Sequence, residues 1–291
     1  MARRTAARKS QAKNSRRAKR HKGRRNSGLR IPKLWPGASR RRRWLRAFNS
    51  LPGVMQLIAG LALAAALAVA LNWAYQVIRK PSELFFPISG TLYKTPFETW
   101  RSYGPIFRRH STATMTPDFL AALAQVEGSG NPIVRTYWRW SLSNKPLDIY
   151  KPASSAVGMY QITDGTFAEA RRYCIHKHIV IADGPWNDFK SCWLNGLYTR
   201  TVPSHAVEMT AAYLELHVTE VLRRQGIRRA SLRQKQNLAA LIHVCGAGAG
   251  RRYAARGLRL SGGQRCGDHD AAAYIAKVSA MQAVFRRLQD A

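Results

Sequence analysis

Fifteen consecutive residues, 57–71, carry no polar side chain. The flanks 51–56 and 72–78 add mostly apolar residues, giving the roughly 20 that a bilayer requires. In hydrocarbon a single segment satisfies its own backbone only as a helix. The run therefore predicts one transmembrane helix over 51–78 and sets the rest of the chain on either side of it. Trp73 and Tyr75 are placed to sit at the far interface.

Charge gives the orientation. Residues 1–50 hold 19 of the chain's 48 Lys and Arg and none of its 15 Asp and Glu. Such a tail buries too little apolar surface to fold alone, so 1–46 read as disordered within a basic tail spanning 1–50. Arg40 to Arg46 precede the apolar run and only Arg79-Lys80 follows it closely. The positive-inside rule then keeps the N-terminus in the cytoplasm and puts the C-terminal region outside. The tail is also suited to lie along anionic lipid. A nucleic-acid arm is the rival reading, but no recognition module accompanies it and no nucleic-acid partner is expected. Arg3-Arg4 or Arg42-Arg43 give only an incomplete twin-arginine signal. Ala68-Val69-Ala70 offers a cleavage site for a signal peptide, against which the long basic lead argues for an uncleaved anchor.

Beyond a tether over 79–95, broken by Pro81, Pro87 and Gly90, residues 96–291 suit one domain of about 200 residues. Its periodicity is helical. Residues 96–110 are aromatic-rich, with Phe97, Trp100 and Phe107 available for a core. Thr116-Pro117 starts a helix in which Leu120, Leu123, Ala124 and Glu127 share one side, and Gly128-Ser129-Gly130-Asn131-Pro132 stops it. Thr163 starts another, running to about Tyr173. Residues 204–224 form an amphipathic helix ended by Gly226. Ser231 begins one that Gly246 stops, and 270–288 place Tyr274, Val278, Met281, Phe285 and Leu288 on one face. The 179–181 run is too short to build a sheet. The four cysteines allow three pairings; proximity favours Cys174–Cys192 and Cys245–Cys266, each worth about 3 kcal/mol by loop closure. Disulfides agree with export. No CxxC spacing supports a metal site, and neither metal nor cofactor is expected.

Glu127 is the residue with chemistry. A carboxyl at a helix end, turned toward the apolar side, loses hydration, which favours the protonated form that a general acid uses. The structural alternative is an ordinary capping or surface glutamate. The surrounding motifs bear on that choice. Glu127-Gly128-Ser129-Gly130-Asn131-Pro132, followed by Ser155-Ala156-Val157-Gly158-Met159-Tyr160-Gln161, resembles the Glu-Ser-Gly-Gly-Asn-Pro and Gly-Ala-x-Gly-Leu-Met-Gln motifs of soluble lytic transglycosylases. These belong to the goose-lysozyme-like branch of the lysozyme superfamily. Residues 239–248 resemble that family's Ala-Tyr-Asn-Ala-Gly-x-Gly segment, and 270–278 its Glu-Thr-x-x-Tyr-Val-x-x-Val segment. The departures are Gly128 where the family has serine, His243 and Val244 where it has tyrosine and asparagine, and an insertion over 133–154.

The resemblance implies a mainly α, lysozyme-like domain behind a single transmembrane helix. It implies a lyase of peptidoglycan in which Glu127 acts as both acid and base, leaving 1,6-anhydromuramyl ends. Ser129, Met159, Tyr160, Gln161, His243 and Tyr274 fall at substrate-binding positions. The site then faces the periplasm from a bacterial inner membrane, with glycan strands as substrate and proteins of the envelope machinery as further partners. Two alternatives stand beside it. A hydrolytic muramidase needs a second carboxylate, for which Asp148 and Asp164 are near; an inactive peptidoglycan-binding scaffold needs none. The Arg135-Thr136-Tyr137-Trp138-Arg139-Trp140 stretch opening the insertion offers rings for sugar stacking or for a core.

Overall fold

The computed structural model describes residues 38–142, 144–184, 188 and 190–290. Most of these are helical. In chain order the elements are α1 (Ala38–Asn49), α2 (Gly53–Arg79), α3 (Phe86–Ser89), α4 (Pro96–Arg109), α5 (Pro117–Gly128), β1 (Trp138–Trp140), β2 (Tyr150–Pro152), α6 (Asp164–Ala170), β3 (Tyr173–His176), β4 (Ile179–Ala182), α7 (Pro203–Arg224), α8 (Leu232–Ala255), β5 (Arg265–Cys266), β6 (His269–Asp270) and α9 (Ala271–Asp290). The strands make three separate antiparallel hairpins, β1–β2, β3–β4 and β5–β6.

One unit ends at Leu63 and contains α1. Part of the stretch expected to be disordered is thus a helix, Ala38–Asn49, rich in Arg and Ala, which favour helix intrinsically. Residues 1–37 of that expectation lie outside the described residues. Helix α2 is 27 residues long and apolar enough to cross a membrane.

The second unit, residues 64–291, holds the core. Helix α5 packs on α4 and α9, and α7 on α8. Phe107, Phe119, Leu120, Leu123, Leu214, Leu238, Leu241 and Phe285 fill the space between them. The start of α5 is set by Pro117 after Thr116. Rather than capping its own helix, the Thr116 hydroxyl accepts from Gln236 Nε2 at 3.0 Å. Gln282 Nε2 donates to Gln236 Oε1 at 3.0 Å and to Asp118 Oδ2 at 2.9 Å. This buried polar chain pins α5, α8 and α9 in one relative setting, because breaking any link strands a desolvated amide or carboxylate.

Several boundaries differ from the periodicity. The stretch read as a tether contains two 3₁₀ turns and α3. It is fixed by Glu83, which is fully buried and takes Arg135 at 2.6 Å, Lys80 at 3.3 Å and the Trp138 indole at 2.8 Å. Burial lowers the Lys80 pKa, opposed by the charge of Glu83 beside it. Phe97, expected in the core, is exposed about a quarter-turn from Phe107 and lies under the Arg101 guanidinium. Helix α6 ends at Ala170 because Tyr173 is taken up by pairing with Ala182. That pairing also gives the short 179–181 run a partner strand. Gly246, at φ 76°, breaks α8 without ending it, and helix resumes to Ala255.

Candidate active site

A cleft of about 780 Å³ opens between the end of α5, the start of α9, the middle of α8 and the β1–β2 hairpin. Glu127 sits in the last turn of α5, and its carboxylate points into this cleft with 16 % of the side chain exposed. The helix stops there because Ser129 adopts a left-handed conformation, φ 48°, with its N–H returned to Gln125 O at 3.0 Å.

Two groups far away in sequence converge on one carboxylate oxygen. The buried Tyr274 hydroxyl, from the first turn of α9, donates a hydrogen bond to Glu127 Oε1. His243 Nε2, from α8, stands 3.6 Å from the same oxygen. Burial, and then the charge of Glu127, push the Tyr274 pKa well above the ordinary phenol value. The phenol therefore stays protonated and remains a donor wherever a cell operates. Asp270 orients that turn, its Oδ1 accepting from the Ala273 N–H at 2.8 Å.

The floor opposite is a turn whose shape needs glycine. Gly158 has φ 79°, and a Cβ there would meet Arg200 O at 2.3 Å. Gln161 lines the cleft and donates from Nε2 to Gly158 O at 3.0 Å and Val134 O at 3.3 Å. Gly128 lies against the same turn. A Cβ at 128 would fall 2.8 Å from Met159 Cα and 2.9 Å from Met159 O. Glycine rather than serine after the glutamate is therefore a packing requirement of this chain.

The expected site residues divide into two groups. Glu127, Gln161, His243 and Tyr274 meet in the cleft. Met159 and Tyr160 do not: both are fully buried, and the Tyr160 hydroxyl donates to Leu120 O at 3.0 Å. Expected at substrate-binding positions, both lie beneath the floor and outside the cleft lining. Ser129 caps α5 and does not line the cleft. Of the aromatic stretch, Tyr137 lines the cleft, Trp138 is spent on Glu83, and Trp140 packs tilted against Tyr150, ring centres 4.8 Å apart, outside it. Asp148 pairs with Arg79 at 3.1 Å and Asp164 with Arg200 at 2.8 Å, both away from the cleft.

Other polar groups line the cleft that were not expected as site residues: Arg135, Arg139, Asp268, His269, Asp270 and Lys277. The Cys245–Cys266 disulfide explains how three of them arrive. It ties β5 to the α8 segment just before Gly246, and the tight β5–β6 turn then carries Asp268, His269 and Asp270 to the rim. Cys174–Cys192 forms likewise and braces β3. The cysteine spacing was the available signal for the first of these loops. Among the described residues no cluster of His, Cys, Asp and Glu is arranged to hold a metal.

Of the three carboxyl groups on the cleft, Glu127 is the one held on a single oxygen by Tyr274 and His243, with Asp268 and Asp270 at the rim beside Arg135, Arg139 and Lys277. Compared with known protein families and with characterised proteins, the chain matches none.

Proposed function

We propose that this chain is a membrane-anchored peptidoglycan lytic transglycosylase with a lysozyme-like domain, its anchor in a bacterial inner membrane and its cleft in the periplasm. The observation that carries the reading is the meeting of Glu127 with Tyr274, 147 positions apart, at the two places where separate motifs of the resembled family predict them. Arg139 and Lys277 on the rim suit a glycan whose peptide stems bear carboxylates.

In this reading Glu127 donates its proton to the glycosidic oxygen as the bond from C1 of N-acetylmuramic acid to O4 of N-acetylglucosamine breaks. The carboxylate then takes the proton of the muramyl 6-hydroxyl, whose oxygen closes on C1. Glu127 ends protonated, as it began, and no water is consumed. The Tyr274 hydroxyl donates to the carboxylate that exists between the two steps, and its own high pKa keeps it from supplying a competing base.

The test is mass spectrometry of sacculi digested by the full-length chain in detergent. Products ending in 1,6-anhydromuramic acid, absent with Glu127→Gln, are expected. A hydrolytic reading has one specific observation behind it, the presence of Asp268 and Asp270 on the same cleft. Reducing ends, lost in Asp268→Asn or Asp270→Asn, would replace the transglycosylase with a hydrolase. An intact sacculus that binds the chain without release of fragments would leave a scaffold.

A further inference from the structure

The β1–β2 hairpin joins two things that the proposed function leaves unconnected, the anchor and the cleft. On one side it meets the last turns of α2. Asn72 Nδ2 donates to Tyr150 O at 2.8 Å, Gln76 Nε2 to Leu147 O at 2.6 Å, and Arg79 Nη1 pairs with Asp148 Oδ1 at 3.1 Å. On the other side Tyr137, Arg139 and Ala153 wall the cleft. Between these contacts the hairpin presents side chains that water should not tolerate together. Trp140 is 76 % exposed, Leu142 is fully exposed, and Leu147, Ile149 and Tyr150 are each more than a third exposed.

The level of these residues follows from helix geometry. A hydrocarbon core of about 30 Å takes roughly 20 helical residues, so a span beginning at the start of α2 ends near Asn72. Gln76 and Arg79 then stand about 6 and 10 Å further out, within the headgroup layer. The hairpin backbone bonded to these three side chains shares their level. Its composition suits that layer: Trp140 and Tyr150 packed against each other, aliphatic side chains beside them, and Arg139, Lys145 and Lys151 near them in the chain. An amide such as that of Asn72 at the hydrocarbon edge is costly without a partner, and the Tyr150 carbonyl supplies one.

We propose that the β1–β2 hairpin is a second membrane contact, its exposed apolar side chains seated in the interface of the leaflet where α2 emerges, so that the cleft it walls is held at the bilayer surface. The occupant of the patch is lipid, because the patch is continuous with a helix whose own surroundings are lipid. The substrate class narrows accordingly to glycan lying close against the membrane. The proposal rests on the reading of α2 as a membrane anchor.

The experiment reconstitutes the full-length chain into vesicles of phosphatidylethanolamine and phosphatidylglycerol. A small environment-sensitive fluorophore is placed on single added cysteines, in Leu142→Cys, Ala66→Cys or Arg229→Cys. All three sites are exposed, so labelling disturbs no packing. Nitroxide lipids, carrying the quencher at the headgroup or deep in the acyl chain, are then added. The Ala66 label should lose most of its emission to the deep quencher and the Leu142 label to the headgroup quencher. The Arg229 label should keep its emission with both. A Leu142 label as indifferent as that at Arg229, with Ala66 quenched, overturns the hairpin contact and leaves the anchor standing. A blue-shifted Leu142 label untouched by either quencher means a protein covers the patch, which also overturns the proposal. If neither Ala66 nor Leu142 is quenched, the anchor fails and the hairpin contact with it.

Discussion

The two walls of the cleft are built by different physics. The helical wall, α5 with α9, places Glu127 and Tyr274 at the end of a closely packed core, and its polar groups are interlocked through Gln236, Gln282 and Asp118. The hairpin wall has almost no core of its own. It is held by one buried ion cluster, Glu83 with Lys80 and Arg135, and by hydrogen bonds to α2. A wall held by packing is costly to move anywhere, whereas a wall held by a few charges depends on each of them. In the function proposed above, chemistry falls to the first wall, and access and location to the second.

The largest expected effect tests the first half of that contrast. Glu127→Gln should lower the rate of glycan cleavage by about 10²–10⁴-fold, toward the upper end because both proton transfers use the one group. Its melting temperature should stay near that of the parent, since the amide keeps the shape of the carboxyl. Asp148→Asn and Asp164→Asn should cleave at nearly the parental rate. A loss in either as deep as that of Glu127→Gln would break the assignment of chemistry to the helical wall.

Next comes the hairpin wall. Glu83→Gln leaves Arg135 and Lys80 without their buried counter-charge and should cost about 3–5 kcal/mol of local stability. Hydrogen exchange should rise in β1 and β2 while α5 and α9 stay protected. A chain starting at Pro96 lacks Glu83 altogether and should show the same pattern, unlike one starting at Arg79. Uniform loss of protection across both walls would mean that they are one cooperative unit after all.

A smaller effect is expected from Cys245→Ser combined with Cys266→Ser. Releasing that loop should cost about 2–4 kcal/mol by chain entropy and free the β5–β6 rim, leaving Tyr274 on its helix. Unfolding by denaturant measures the cost. An equal cost with no change in cleavage would show that the rim residues do not touch substrate.

The smallest effect lies on the helical side, away from the cleft. His110 is buried against Glu208, with Arg109 and His205 near, and burial lowers its pKa from the ordinary value of 6.5 despite the attraction of Glu208. Above that value folded and unfolded histidine are both neutral. As pH falls through 6.5 the unfolded chain takes the proton first, so stability should decline there, until the folded pKa is reached. His110→Gln should flatten the decline in thermal melts from pH 7 to pH 5. An unchanged slope would assign the pH dependence to other groups.

The sequence was most legible where one period governed many residues. The helix from Thr116, its stop at Ser129 and Gly130, the long amphipathic α7 and the face of α9 all follow from spacing and punctuation. Both disulfides followed from proximity. Of the seven site residues that motif positions suggested, Glu127, Gln161, His243 and Tyr274 line one cleft, and Ser129, Met159 and Tyr160 do not. What could not be read was tertiary in origin. No local pattern announces that Glu83 will be buried by Arg135 and Trp138, 52 and 55 residues away. Met159 and Tyr160 share a motif with Gln161, but the turn buries both side chains, and only Gln161, itself at φ 47°, reaches the cleft. The interlayer chain from Thr116 through Gln236 to Gln282 is equally invisible, since each member alone is an ordinary polar residue on a helix.

The contact of Gly128 with Met159 has a mechanical consequence. With no side chain between them, two backbones touch at van der Waals range, so there is no compressible layer that lets one slide past the other. The glutamate's helix end and the turn bearing Gln161 therefore behave as one casting. A ligand entering the cleft is then not accommodated by parting them, and any widening comes from the opposite side, where the fastening is a handful of charges.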